Sequence, residues 1–308
     1  MENPFRPGLR YLADSGLATT TLATRDGRDP PAAAYAVVED EHARATLRAS
    51  AREHAAIAAA HGLGLVLETP TLRASPDWGE AAGHDRAALE RINRAAVALL
   101  RETAAGFPDL PLIVSGQIGP RADAYVPGAA MDIDEAAGYH SQQIRALAGA
   151  DMVIAAQMTN AAEASGIVLA ADILGVPAAV SFAVTPGGRL PSGQPLAEAV
   201  EETDKETDGV AILVMVECVD PDHAADALSG PVAGRIGGMR AGGFSLPRGA
   251  PAAGEADGGG EPDVVACRVA ALARALPSLR VFAGPRGAGA LHAAAIAAAV
   301  SRVSERAG

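Results

Sequence analysis

Only two of the 308 residues are cysteine, Cys218 and Cys267, and they lie far apart without CxxC spacing. They suggest no disulfide framework, and a reducing cytoplasm fits them. Aromatic residues make up 3% of the chain, so a core has to be built from the Ala, Val, Leu and Ile that dominate its 49% hydrophobic content. No apolar run is long enough to cross a bilayer and no charged-then-apolar leader is visible, so a soluble, cytoplasmic protein is expected. Positive charge is also short. A net charge of -12 and a pI near 5.0 repel nucleic acid and anionic membrane surfaces, so neither is expected as a partner. Neither GxGxxG nor GxxxxGK is present, which leaves Gly116, Gly119, Gly188 and Gly193 to be read as turn residues. With no GxSxG elbow and no Ser-His-Asp arrangement, hydrolase chemistry has no support.

What the chain does have is a repeated unit of apolar strand, polar tip and helix. Val210 to Val216 is an unbroken apolar run that ends in Glu217 and Cys218, after which Asp220-Pro221 stops the strand and a helical pattern resumes at His223. Gly64 to Thr71 ends likewise on Glu68 and Thr69, and Tyr11 to Ala13 runs into Asp14. Further strands are read at Leu112–Gly119, Asp151–Thr159, Pro177–Phe182, Arg235–Met239 and Leu279–Ala283. Helical spacing fills Glu41–His61, Arg86–Ala105, His140–Leu147 and His292–Ala307, and Asn160 can cap a helix that carries Glu163. Eight strands alternating with helices imply a parallel sheet, and closure into a single (β/α)8 TIM barrel over 1–308 leaves no strand edge exposed. An open doubly wound sheet is the competing architecture. The Pro/Gly/Ala-rich stretch 244–262 has almost no large apolar side chain and is expected to be a flexible loop over the pocket mouth.

Strand tips in such a barrel converge on one face, which makes Asp14, Glu68, Thr69, Gln157, Glu163, Ser181, Glu217 and Cys218 the pocket candidates. A carboxylate at the end of an apolar strand must find a cavity or a partner. Cys218 also has a plainer reading as a buried, inert thiol, and Arg73 and Arg121 as salt bridges between loops. Trp78 is read as covering a barrel edge.

Several segments together resemble the homocysteine S-methyltransferase family. They are Leu67-Glu-Thr-Pro-Thr-Leu-Arg-Ala-Ser-Pro-Asp-Trp-Gly79, Val114-Ser-Gly-Gln-Ile-Gly-Pro-Arg121 with Tyr125-Val-Pro-Gly128, Val180-Ser-Phe182 with Gly188-Arg-Leu-Pro-Ser-Gly193, and the Glu-Cys of the sixth strand. The resemblance implies a (β/α)8 barrel that moves a methyl group from S-methylmethionine, S-adenosylmethionine or a related donor to the thiol of homocysteine. It also implies a zinc ion held by three cysteines, which turns that thiol into a thiolate.

Of those ligands Cys218 matches, whereas the Asn that precedes it in the family is Glu217. The paired cysteines after the eighth strand correspond to Pro285 and Arg286, neither of which can bind zinc. Arg286 then stands where it can substitute electrostatically for the metal, pairing with Glu217 or an anionic ligand group. The first-strand motif keeps Asp14 and has Ala18 in place of a Glu, and Glu163 matches a family Glu that helps bind the amino group of homocysteine. Arg240-Ala-Gly-Gly243 replaces a family-like Arg-Ala-Asn-Ala.

Three readings follow. One is a zinc-independent methyltransferase-type enzyme acting on a small amino-acid or sulfonium substrate, with Glu217, Cys218, Arg286 and Asp14 as catalytic candidates and Glu68, Thr69, Gln157, Glu163 and Ser181 as substrate-binding ones. The second is an inactive binding, scaffold or regulatory subunit, as a homo-oligomer or in complex with an active relative. The third is a zinc enzyme with non-standard ligands drawn from Cys218, Glu217, Asp14 and His223. No resident cofactor is expected.

Overall fold

Each apolar run needs cover on both faces, which a parallel sheet wrapped by helices supplies. The computed structural model describes residues 2–14, 34–124, 128–185, 187–219, 228–241, 260–285 and 288–305, with backbone only at 218, 219, 304 and 305. Its strands are β1 (Tyr11–Ala13), β2 (Gly64–Glu68), β3 (Leu112–Ile118), β4 (Met152–Met158), β5 (Ala178–Ala183), β6 (Leu213–Val219), β7 (Ile236–Ala241) and β8 (Val281–Ala283). All neighbours pair in parallel and β8 returns to β1, so the sheet is a closed eight-stranded barrel. Around it run α1 (Glu41–Ala60), α2 (Pro76–Ala81), α3 (Arg86–Ala104), α4 (Ile133–Leu147), α5 (Ala161–Ile173), α6 (Leu196–Glu206), α7 (Pro262–Ala275) and α8 (Ala290–Glu305). The expected (β/α)8 TIM barrel is the observed fold.

Local chemistry sets the helix starts. Asp40, Asp85, Asp132 and Asn160 each accept a hydrogen bond from the backbone N–H three residues on, an N-cap that contributes about 1 kcal/mol apiece. Alternation along the strands then separates two apolar layers. Leu12, Leu65, Leu67 and Val114 face the helices, whereas Tyr11, Ala13, Val66, Ile154, Met215 and Val281 fill the lumen. At the amino end Phe5 stands edge-on to Tyr11 at 5.1 Å with the Arg280 guanidinium 4.8 Å from its ring centre, and burial lowers the Arg280 pKa from its ordinary value. That plug leaves the opposite, carboxyl-end face for chemistry.

The structure moves several sequence boundaries. β7 extends through Arg240 and Ala241 instead of stopping at Met239, which puts a charged residue inside the sheet. α4 begins at Ile133, well before His140, because Asp132 caps it. Pro262, the end of the segment read as a loop, instead opens α7, since proline is favoured in the first helical turn. The rest of that segment up to residue 259, and the helix expected at His223, lie outside the described residues. Gly116 is a strand residue and not a turn residue, because a Cβ there would stand 3.0 Å from the Leu147 Cβ of α4. Gly188 and Gly193, with φ of 72° and 89°, do make turns that L-residues avoid.

Candidate functional site

Polar side chains from six strand ends meet in one layer at the carboxyl end of the lumen. Arg240 of β7 reaches across the barrel: its Nη1 donates to the Asp14 carbonyl at 2.9 Å, and its Nη2 donates to Glu68 Oε2 at 2.6 Å. Its Nε lies 3.5 Å from Glu217 Oε2. Gln117 of β3 donates its amide to the same Glu68 oxygen. Glu217 Oε1 accepts the Gln157 backbone N–H at 2.9 Å and the Ser181 hydroxyl at 3.3 Å. Asp14 Oδ2 accepts the Glu68 backbone N–H at 2.5 Å. All these residues are buried, Arg240 to 3% exposure and Glu217 to 1%. In such a buried layer, removal of Arg240 takes away a cation that touches both Glu68 and Glu217, which makes it the keystone of the set.

The backbone of β4 is bent to serve this layer. Gln157 has φ of +58°, in the left-handed region that non-glycine residues visit at a cost of about 1–3 kcal/mol, and the β4–β5 register shifts between Ala155 and Met158. The bend aims the Gln157 N–H at Glu217, so the strain is coupled to a charge-assisted hydrogen bond.

Beside the layer, on the same face, opens a cleft of about 350 Å³ lined by Asp77, Arg121, Met131, Glu135, Asn160 and Glu163, among others. Glu163, in the first turn of α5, is 4% exposed. Its Oε1 accepts the Arg121 backbone N–H at 2.7 Å and contacts His140 Nε2 at 2.9 Å. The Arg121 guanidinium turns away, to Asp77 at 2.7 Å and Glu135 at 3.2 Å, and stacks 5.0 Å over Tyr139. The hydrogen bond to Asp77 raises the Arg121 pKa, and burial raises that of Tyr139.

The sequence-derived candidates therefore divide. Asp14, Glu68, Gln157, Ser181 and Glu217 come together in the central layer, and Glu163 lines the cleft. Thr69 belongs to neither: its hydroxyl is engaged by Thr71 at 2.6 Å and by the Gln117 N–H at 3.0 Å, which makes it a tie between β2 and β3. The backbone of Cys218 lies in β6, while its side chain, Arg286 and His223 lie outside the described residues. Sequence reasoning missed three members, Arg240, Gln117 and His140. Arg73 and Arg121 do bridge loops, Arg73 to Asp123 at 2.9 Å, and Arg73 stacks on Trp78 at 4.3 Å.

A three-thiolate zinc centre does not fit these residues. The chain has one cysteine at a strand end, its other cysteine, Cys267, is exposed on α7, and the buried Pro285 offers no donor atom. The residue before Cys218 is moreover held beside a guanidinium, a permanent cation, where a divalent ion would be repelled.

The family model described as homocysteine S-methyltransferase matches residues 14–264. The homocysteine methyltransferase MmuM from Escherichia coli aligns in its oxidized form with a TM-score of 0.75 at 18% identity, covering 96% of this chain and 99% of that one. Its metallated form aligns with a TM-score of 0.73 at 17% identity and the same coverage. No curated protein sequence matches. At those identities the structural likeness speaks to the fold.

Proposed function

The chain belongs to the homocysteine S-methyltransferase family, and from that membership we propose that it is a zinc-independent methyltransferase-type enzyme for a small amino-acid or sulfonium substrate. The observation that carries the reading is the barrel-end layer in which Arg240 joins Glu68 and Glu217. A barrel that had become a scaffold would have no use for a buried, strained and charged layer at its mouth, since such groups cost stability unless fully paired.

Transfer from S-methylmethionine or S-adenosylmethionine needs an in-line arrangement. The acceptor's lone pair attacks the methyl carbon, the S–CH3 bond breaks as the new bond forms, the donor leaves as a neutral thioether, and the acceptor's proton passes to solvent. Alignment and exclusion of water supply much of the acceleration for such a displacement. In this reading Glu163 takes the substrate's amino group in the cleft, and Glu68 and Glu217, fixed by Arg240, form the charged floor against which the reacting groups are oriented.

The test is a thermal-shift and mass-spectrometry screen with homocysteine, methionine, S-methylmethionine and S-adenosylmethionine. Stabilisation by one donor and one acceptor, with a product heavier by one methyl group, is the expected result. Stabilisation by none of the four, with stabilisation by another protein, would instead favour an inactive binding or regulatory subunit.

A further inference from the structure

We propose that His140 is a positioning residue that presents Glu163 to the cleft as an ionised, uncompensated carboxylate, and so sets a preference for ligands that carry a primary amine. The inference rests on the reading of Glu163 as the carboxylate that takes the amino group. His140 lies on α4 and is 0% exposed, with Tyr139 edge-on to its ring at 4.8 Å. Its Nε2 is 2.9 Å from Glu163 Oε1, while its buried Nδ1 has no hydrogen-bond partner among the described residues. A second N–H at Nδ1 would be an orphaned donor in an apolar setting, so the geometry assigns the neutral tautomer with the proton on Nε2.

That tautomer has a specific consequence. Among the described residues, the two donors to the Glu163 side chain, the imidazole and the Arg121 backbone N–H, converge on Oε1 and both are neutral. They fix the carboxylate's orientation without cancelling its charge. The nearby guanidinium that could cancel it, that of Arg121, is committed to Asp77 and Glu135. Glu163 is thus held rigidly, lines the cleft, and keeps its negative charge for something that arrives there. A ligand ammonium is the chemical class that pairs with such a group.

The experiment is calorimetric titration of the full-length protein with L-methionine and with its deamino analogue 4-(methylthio)butanoate. Both are measured on the wild type and on His140→Leu, His140→Asn, His140→Gln and Glu163→Gln. A Gln amide can reach the place of Nε2, whereas an Asn amide stops short and Leu donates nothing. The expected result is a wild-type preference for methionine that falls about tenfold in His140→Leu and His140→Asn, the worth of one charge-assisted hydrogen bond. His140→Gln should keep the preference and Glu163→Gln should abolish it. Wild-type preference in His140→Leu or His140→Asn, with loss in Glu163→Gln, overturns the role of His140 and leaves that of Glu163 intact. No preference in the wild type overturns the reading of Glu163 itself.

Discussion

Arg240 contacts two buried carboxylates at the centre of the barrel, and its removal should cost more than a packing defect. Arg240→Met leaves Glu68 and Glu217 buried without the cation between them, and about 3–5 kcal/mol of stability should be lost at neutral pH. Denaturant melts of Arg240→Met check this. A triple variant that adds Glu68→Gln and Glu217→Gln should recover much of the loss. A deficit that the triple variant leaves untouched would mean that Arg240 acts by bulk alone.

At the same scale, the sequence disclosed the acids and hid their partner. Glu68 and Glu217 stand out because each ends an apolar run, which a carboxylate does only for a reason. Arg240 likewise follows the apolar part of β7, but the run Ile236-Gly-Gly-Met is short and glycine-rich, so the last two residues of the strand read as loop. His140 and Gln117 gave no signal, because a polar residue on an amphipathic helix or inside a mixed strand becomes remarkable only once its burial is known.

Among the elements, α4 and α5 decide the cleft, since one carries His140 and the other Glu163. They approach closely at Gly166, where a Cβ would stand 2.6 Å from both the Ala136 Cβ and the Ile133 carbonyl oxygen. Gly166→Ala should therefore push the helices apart at a cost of about 1–3 kcal/mol, and it should weaken the methionine preference as His140→Leu does. Thermal melts with the two titrations test both halves; a stable variant with unchanged preference would show that helix separation does not govern the site. Asn160→Ala should cost about 1 kcal/mol through loss of the α5 cap, measurable by denaturant unfolding. Asn160 as a cap was legible from its place between an apolar strand and a helical pattern. The strained Gln157 was not, because positive φ in a non-glycine residue is imposed by tertiary contacts that no local pattern encodes.

For the whole molecule, the alternation of apolar runs with helical spacing was enough to specify eight parallel strands, whereas closure competed with an open doubly wound sheet and is decided by the pairing of β8 with β1. Where the strand tips converge followed from that topology. How their charges pair across the lumen did not, because residues far apart in sequence meet only in the closed barrel, as Asp14 and Arg240 do. The absence of a three-cysteine set was readable outright, and the structure adds that a fixed guanidinium holds the glutamate next to the remaining strand-end cysteine. Zinc-independent methyl transfer, the proposed function, joins the family reaction to a centre that lacks the three-cysteine set. The most direct test measures zinc by plasma emission in protein purified without chelators, then assays methyl transfer from S-methylmethionine and S-adenosylmethionine to homocysteine before and after dialysis against a strong chelator. Substoichiometric zinc with transfer unchanged by dialysis is the predicted result. One tightly held zinc per chain, with transfer lost on its removal and restored on its return, would contradict it.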